Sequence, residues 1–232
     1  RAQAWARRNG MIPIRDDNPV RGLPVVTPLL ILACMGVYLW LLSLSPEARI
    51  EATTLLGFMP AVLFRPGTVE IEPWVSPLGS IFTAMFLHGG FFHLAGNMLY
   101  LWLFGDNVED RFGHGRFAAF YLICGAIAAL AQALPDMRST VPMVGASGAV
   151  SGVLGAYLVL YPRANVLLAM PFLLARVPAV VMLGLWFVGQ LARSLLIEPG
   201  AAGVAFTAHV GGFVAGAVLV RWFLRDRRKR PN

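Results

Sequence analysis

The chain has 232 residues, of which 57% are hydrophobic and 13% charged, with a net charge of +7 and a mean hydropathy of +0.67. Soluble domains carry about 25% charged residues, so a soluble globular protein is excluded, as are disordered, collagen-like and disulfide-scaffold classes. The composition is that of a polytopic membrane protein.

The basic residues sit at the ends. Arg1, Arg7, Arg8, Arg15 and Arg21 precede the first apolar run, and Arg221, Arg225, Arg227, Arg228, Lys229 and Arg230 close the chain. Flanking clusters of this kind mark cytoplasmic ends of membrane proteins, and no nucleic-acid partner is expected. A single Lys beside 18 Arg, with abundant Ala, Gly and Pro, points to a GC-rich bacterial gene and so to a bacterial inner membrane.

Stretches free of Asp, Glu, Lys and Arg run over 22–46, 73–105, 117–135, 139–162, 164–175, 177–192 and 199–220. A spanning helix needs about 20 apolar residues at ~1.5 Å each. The run 164–175 is too short, holds Asn165 and Pro171, and reads as a connecting loop at the interface. The run 177–192 extends past Arg193, which can snorkel to the headgroups. Six spans follow, in an all-α bundle. The first run has no cleavage-type end and is expected to stay in the mature protein.

An even number of spans puts both termini on one side. With that side cytoplasmic, the inner segments hold both terminal clusters plus Arg111, Arg116, Arg163 and Arg176, or 15 basic residues, against Arg49, Arg65, Arg138 and Arg193 outside. The bias sets the orientation. The chain divides into a basic tail over 1–23, a six-helix membrane domain over 24–224 with a long outer loop at about 45–79, and a basic tail over 225–232. That loop carries Glu47, Glu51, Glu70 and Glu72 and lies partly in the membrane interface. Cys34 and Cys124 fall inside apolar runs and read as packing residues.

Polar groups are costly in hydrocarbon, so those inside the spans are informative. They are His88, His93 and Asn97 in span two, Ser147 and Ser151 in span four, and Thr207 and His209 in span six. Intramembrane Asp and Glu are absent, which disfavours proton-coupled pumping and metalloprotease chemistry. No metal site or cofactor is expected. An internal repeat of the transporter kind is not found either.

Span four opens Pro142-Met143-Val144-Gly145-Ala146-Ser147-Gly148-Ala149. A Ser flanked by small residues at a helix start, beside free first-turn amides, suits a nucleophile with an oxyanion hole. The same glycines equally suit close helix packing, with Ser147 as a cap. Depth distinguishes the two. Counted from the inner charged end of each span, Ser147 stands ~24 Å up, His93 ~20 Å, His209 ~18 Å and Asn97 ~14 Å. A Ser, a His and two donors at one level are the parts of an acyl-transfer site.

His93 and Asn97, four apart, share a helix face and read as oxyanion donors. On a continuous helix His88 stands about 140° from His93, so it reads as structural, bonded to the outer loop. Gly212 and Gly216 in span six permit close contact with span four, rich in glycine at Gly145, Gly148, Gly152 and Gly155, bringing His209 beside Ser147.

These residues resemble the rhomboid family of intramembrane serine proteases. The matching segments are FLHGGFFHLAGNMLYLWLFGDNVEDRFGH, GASGAVSGVLGAY, LGLWFVGQL and AHVGGFVAGA, in the family's order. The resemblance implies a six-helix rhomboid-like bundle and a Ser147–His209 dyad. It implies an oxyanion site of His93, Asn97 and the Ser147 amide, with no cofactor. The substrates it implies are single-pass membrane proteins, cut in or near their transmembrane segments within the lipid bilayer, and span five, with Trp186 and Phe187, becomes a candidate lateral gate. The alternative is a rhomboid-like protein that binds client membrane helices without cutting them. Two positions depart from many members. Pro77-Leu78-Gly79-Ser80 stands where a Trp-Arg pair is common, and Ser151 stands where some members pack an aromatic ring on the catalytic His.

Overall fold

A computed structural model describes residues 12–170, 173–196 and 204–224. The described helices are α1 (Val26–Ser43), α2 (Pro46–Leu56), α3 (Pro60–Phe64), α4 (Pro77–Thr83), α5 (Phe91–Phe112), α6 (His114–Ala133), α7 (Ser147–Leu160), α8 (Ala179–Leu196) and α9 (Phe206–Phe223). Of these, α1, α6, α8 and α9 are each long and apolar enough to cross a membrane, and α5 joins them if it forms one span with the bent segment before it. The fold is a helical membrane bundle, as the composition implied. Residues 1–11 and 225–232 of the two expected tails lie outside the described residues.

Two of the expected spans take a different form. α7 has only 14 residues, about 21 Å of helix. It is buried without interruption from Gly148 to Tyr157, so neighbouring helices rather than lipid surround it and its length need not match the bilayer. The run 73–105 is not one helix. α4 and the 3-10 turn Ala84–Phe86 lie at 85° to α5, and the break falls at His88-Gly89-Gly90, where paired glycines end a helix readily.

Glycines bring α7 and α9 into main-chain contact. A methyl group on Gly212 would strike the Gly148 carbonyl oxygen, and one on Gly216 that of Gly152. The same glycines of α7 are as tight against α6, where Gly148 meets Ala128 and Gly152 meets Cys124. Cys34 and Cys124 are both free and buried, as packing residues should be.

The charge count puts four segments on one side, and their described parts meet at one end of the bundle. The 164–175 stretch connects spans as expected, but it belongs to a hairpin of β2 (Asn165–Met170) and β3 (Leu173–Pro178), with Val166 and Leu168 buried at the period of a strand. A lone hairpin is marginal in water. The N-terminal segment supplies a third strand, β1 (Ile12–Asp16), in the antiparallel order β1-β2-β3. Asp16 accepts hydrogen bonds from the Tyr157 hydroxyl (2.6 Å) and from Asn107 Nδ2 (3.0 Å). Arg116 donates to the Leu224 carbonyl (2.8 Å).

The start of α1 has no local cap. Glu109 of α5, only 1% exposed, accepts the N–H groups of Val25, Val26 and Thr27 at 2.8 Å each and the Thr27 hydroxyl at 2.7 Å. A carboxylate there satisfies the orphan amides and complements the helix dipole. The outer loop holds α2, capped by Ser45, and α3. Phe58 and Met143 exchange backbone hydrogen bonds, which pins the loop to the segment entering α7. Pro77-Leu78-Gly79-Ser80 forms the first turn of α4, with Ser76 accepting the Gly79 N–H (3.1 Å).

Candidate active site

Gly145 prepares the entry to α7. Its φ of +126° favours glycine, and its N–H donates to the Ala84 carbonyl at 2.8 Å. A side chain at 145 would also meet the His93 ring, whose Cε1 and Nε2 stand 2.7 Å from the position a Cβ would take. Ala146 occupies the cap position and no side chain caps the helix. The capping role open to Ser147 is therefore not taken up. Ser147 is half-buried, and its hydroxyl makes no hydrogen bond among the described residues.

His209 projects from the first turn of α9. The Ala208 N–H beside it donates to Gln132 Oε1 of α6 (3.0 Å). Its own Nδ1 lies 2.9 Å from Gln190 Oε1 of α8. The Trp186 ring lies 6.0 Å from the imidazole, tilted 32° to it, and Phe206 meets it edge-on at 6.5 Å. Phe187, the other aromatic of α8, stacks on Phe213 of α9. No hydrogen bond joins Ser147 to His209 among the described residues, an arrangement common in unliganded sites, which tighten around substrate.

One cavity of about 820 Å³ is lined by Ser147, His209, His93 and Asn97 together. His93 is exposed, whereas Asn97 is 8% exposed with its Nδ2 buried and unpartnered. An amide donor without an acceptor at a cavity wall is a place for a developing negative charge. Ser151 also reaches this wall, but its hydroxyl donates to the Ser147 carbonyl (2.6 Å) one turn back.

His88 needs correcting. It bonds the Phe86 carbonyl through Nδ1 (3.3 Å), not the outer loop. Because the helix breaks between them, its ring comes within 5.2 Å of His93 rather than standing on another face. Gln132 and Gln190 were missed by the sequence reading. The signal was present, since both are amides inside apolar runs, the same oddity that singled out Asn97. No group of three or more His, Cys, Asp or Glu able to hold a metal occurs among the described residues.

The fold and cavity define a polytopic helical membrane protein with a largely apolar chamber between its helices, which a few Ser, His and Asn side chains also line. The Rhomboid domain family matches residues 76–226, and the chain belongs to that family. It is 34% identical over 184 residues to RHOMBOID-like protein 5 of Arabidopsis thaliana, covering 77% of this chain and 54% of that one. It is 34% identical over 164 residues to Rhomboid protein 1, mitochondrial, of Saccharomyces cerevisiae, covering 66% and 44%. A shorter match, 44% identical over 78 residues, 34% of this chain and 15% of that one, is to Rhomboid protease GluP of Bacillus subtilis. The chain thus spans about half the length of the first two relatives.

Proposed function

We propose that the protein is an intramembrane serine endopeptidase that cleaves single-pass membrane proteins in or near their transmembrane segments. Ser147 Oγ attacks the scissile carbonyl carbon as its proton passes to His209 Nε2. His93, Asn97 and the Ser147 amide hold the oxyanion. His209 then protonates the departing amine, and water releases the acyl group by the reverse transfers. The observation that carries this reading is the single cavity where Ser147, with an unengaged hydroxyl, shares the wall with His209, His93 and the unpartnered Asn97 amide.

Both termini are taken as cytoplasmic, supported by the 15-to-4 distribution of basic residues. Placement in a bacterial inner membrane rests on composition alone, since the relatives include mitochondrial and plant proteins beside a bacterial one.

The test is cleavage of a model single-pass substrate in liposomes by the unaltered chain, Ser147→Ala, His209→Ala and Ser151→Ala. Cleavage lost in the first two variants, kept in the third, and with folding intact in all is the expected result. A chain that binds membrane helices without cutting them would favour a client-binding protein of the same fold, and cutting by Ser147→Ala would remove the nucleophile assignment.

A further inference from the structure

We propose that Gln190 is the positioning residue for His209, setting both its tautomer and its ring orientation. The inference rests on the reading of Ser147 and His209 as nucleophile and base. A base that accepts the Ser147 proton on Nε2 must carry its own proton on Nδ1, and neutral imidazole left to itself favours the other tautomer. In a serine triad a carboxylate holds that Nδ1 proton. Here the partner of Nδ1 is an amide rather than a carboxylate. Oε1 of Gln190, 2.9 Å from Nδ1, is an acceptor in the required place. An accepting oxygen at Nδ1 fixes the Nδ1–H form and leaves the Nε2 lone pair for the cavity.

The surroundings support the assignment. α7 gives His209 no ring to rest on, because Ser151 lies at the position four after Ser147 and spends its hydroxyl on the Ser147 carbonyl. Support comes from α8 instead. Trp186 and Gln190, four apart, share one helix face. The first sets its ring beside the imidazole at a 32° tilt and the second meets its Nδ1. Phe206 stands edge-on to the ring as well. Rotation of the ring would break the Gln190 hydrogen bond and the Trp186 contact together.

The experiment uses the full chain labelled with ¹⁵N in its imidazoles, in detergent micelles at a pH where histidine is neutral. The four His signals are assigned by single replacements. His209 is expected to show a protonated Nδ1 and an unprotonated Nε2. Gln190→Leu is expected to shift the population toward Nε2–H and to lower kcat about tenfold at unchanged KM, the factor that loss of one hydrogen bond near 1.4 kcal/mol gives. Gln190→Glu, which presents a carbonyl oxygen in either protonation state, is expected to keep the tautomer and most of kcat. Should Gln190→Leu fold poorly, Gln190→Asn draws the acceptor back by one methylene and is expected to shift the tautomer the same way.

An unchanged His209 spectrum in Gln190→Leu or Gln190→Asn overturns the proposal, as does loss of kcat in Gln190→Glu equal to that in Gln190→Leu. The spectrum is read on the unreacted chain. A chain that cuts nothing while Gln190→Leu still moves the tautomer fails as a protease with the Gln190 assignment intact. Cleavage that depends on Ser147 and His209 with tautomer and kcat unmoved by Gln190→Leu sinks the assignment alone.

Discussion

Substituting Gly216 by Ala tests whether backbone contact between α7 and α9 holds the site together. The new Cβ would stand 2.6 Å from the carbonyl carbon and 2.7 Å from the Cα of Gly152, where ordinary contact begins at 3.4 Å. The obstacle is backbone, which cannot rotate aside as a side chain can. The carbonyl carbon alone requires the two helices to part by about 0.8 Å at that level, and the Gly152 carbonyl oxygen, nearer still, requires more. Overpacking of this kind costs about 1–3 kcal/mol, and the helix propensity of Ala returns at most about 1 kcal/mol. The net loss, about 2 kcal/mol at the upper end of that cost, lowers Tm by about 2–4 °C per kcal/mol for a chain of this size.

His209 lies two turns earlier on the same helix, so the shift also reaches the Ser147–His209 geometry. A misplacement near 1 Å costs up to about 100-fold in rate. We expect cleavage to fall about 10- to 100-fold. Gly36, where an added methyl would meet nothing within 4 Å, is the control, and Gly36→Ala should leave both properties unchanged. Thermal unfolding in detergent and cleavage in liposomes are the two measurements. A Gly216→Ala chain that matches Gly36→Ala in both would refute the close-packing argument.

Three further outcomes follow from individual residues. Asn97→Ala should lower kcat about 10²–10³-fold with little change in Tm, because its Nδ2 has no protein partner to lose; unaltered cleavage would remove it from the oxyanion site. Glu109→Ala leaves the four donors at the start of α1 without an acceptor. It should cost about 3 kcal/mol or more in thermal or denaturant unfolding, and a loss under about 1 kcal/mol would show that water replaces the carboxylate. Burial holds the Asp16 carboxyl above its ordinary 3.8, against the Tyr157 hydrogen bond, which lowers it. A raised carboxyl pKa stabilises the fold below the unfolded value and loses that contribution as pH rises through the folded one. The Tm of the chain relative to Asp16→Asn should therefore fall as pH climbs from about 4 upward, and a difference flat with pH contradicts the sign.

The membrane helices and the candidate site were legible in the sequence for one shared reason. In a bilayer the backbone must satisfy itself within helices, so charge-free runs reveal the spans, and polar groups inside them are too costly to be incidental. Ser147, His209, His93 and Asn97 stood out on that ground. Helix pitch then placed them near one depth, and the Gly212–Gly216 spacing indicated which helices could touch.

Other features depended on partners distant in the chain. The bend at His88-Gly89-Gly90 places His88 beside His93, whereas helical phase counted along an unbroken run separates them. The third strand of the sheet comes from Ile12–Asp16, about 150 residues from the hairpin it joins. Glu109 caps a helix that begins 83 positions earlier, and Gln190 meets His209 across 19 residues and a change of helix. Composition and periodicity report the surroundings that each residue needs, water or apolar. A single directed hydrogen bond between two helices has no period and almost no compositional trace, so only the packed chain decides which donor meets which acceptor.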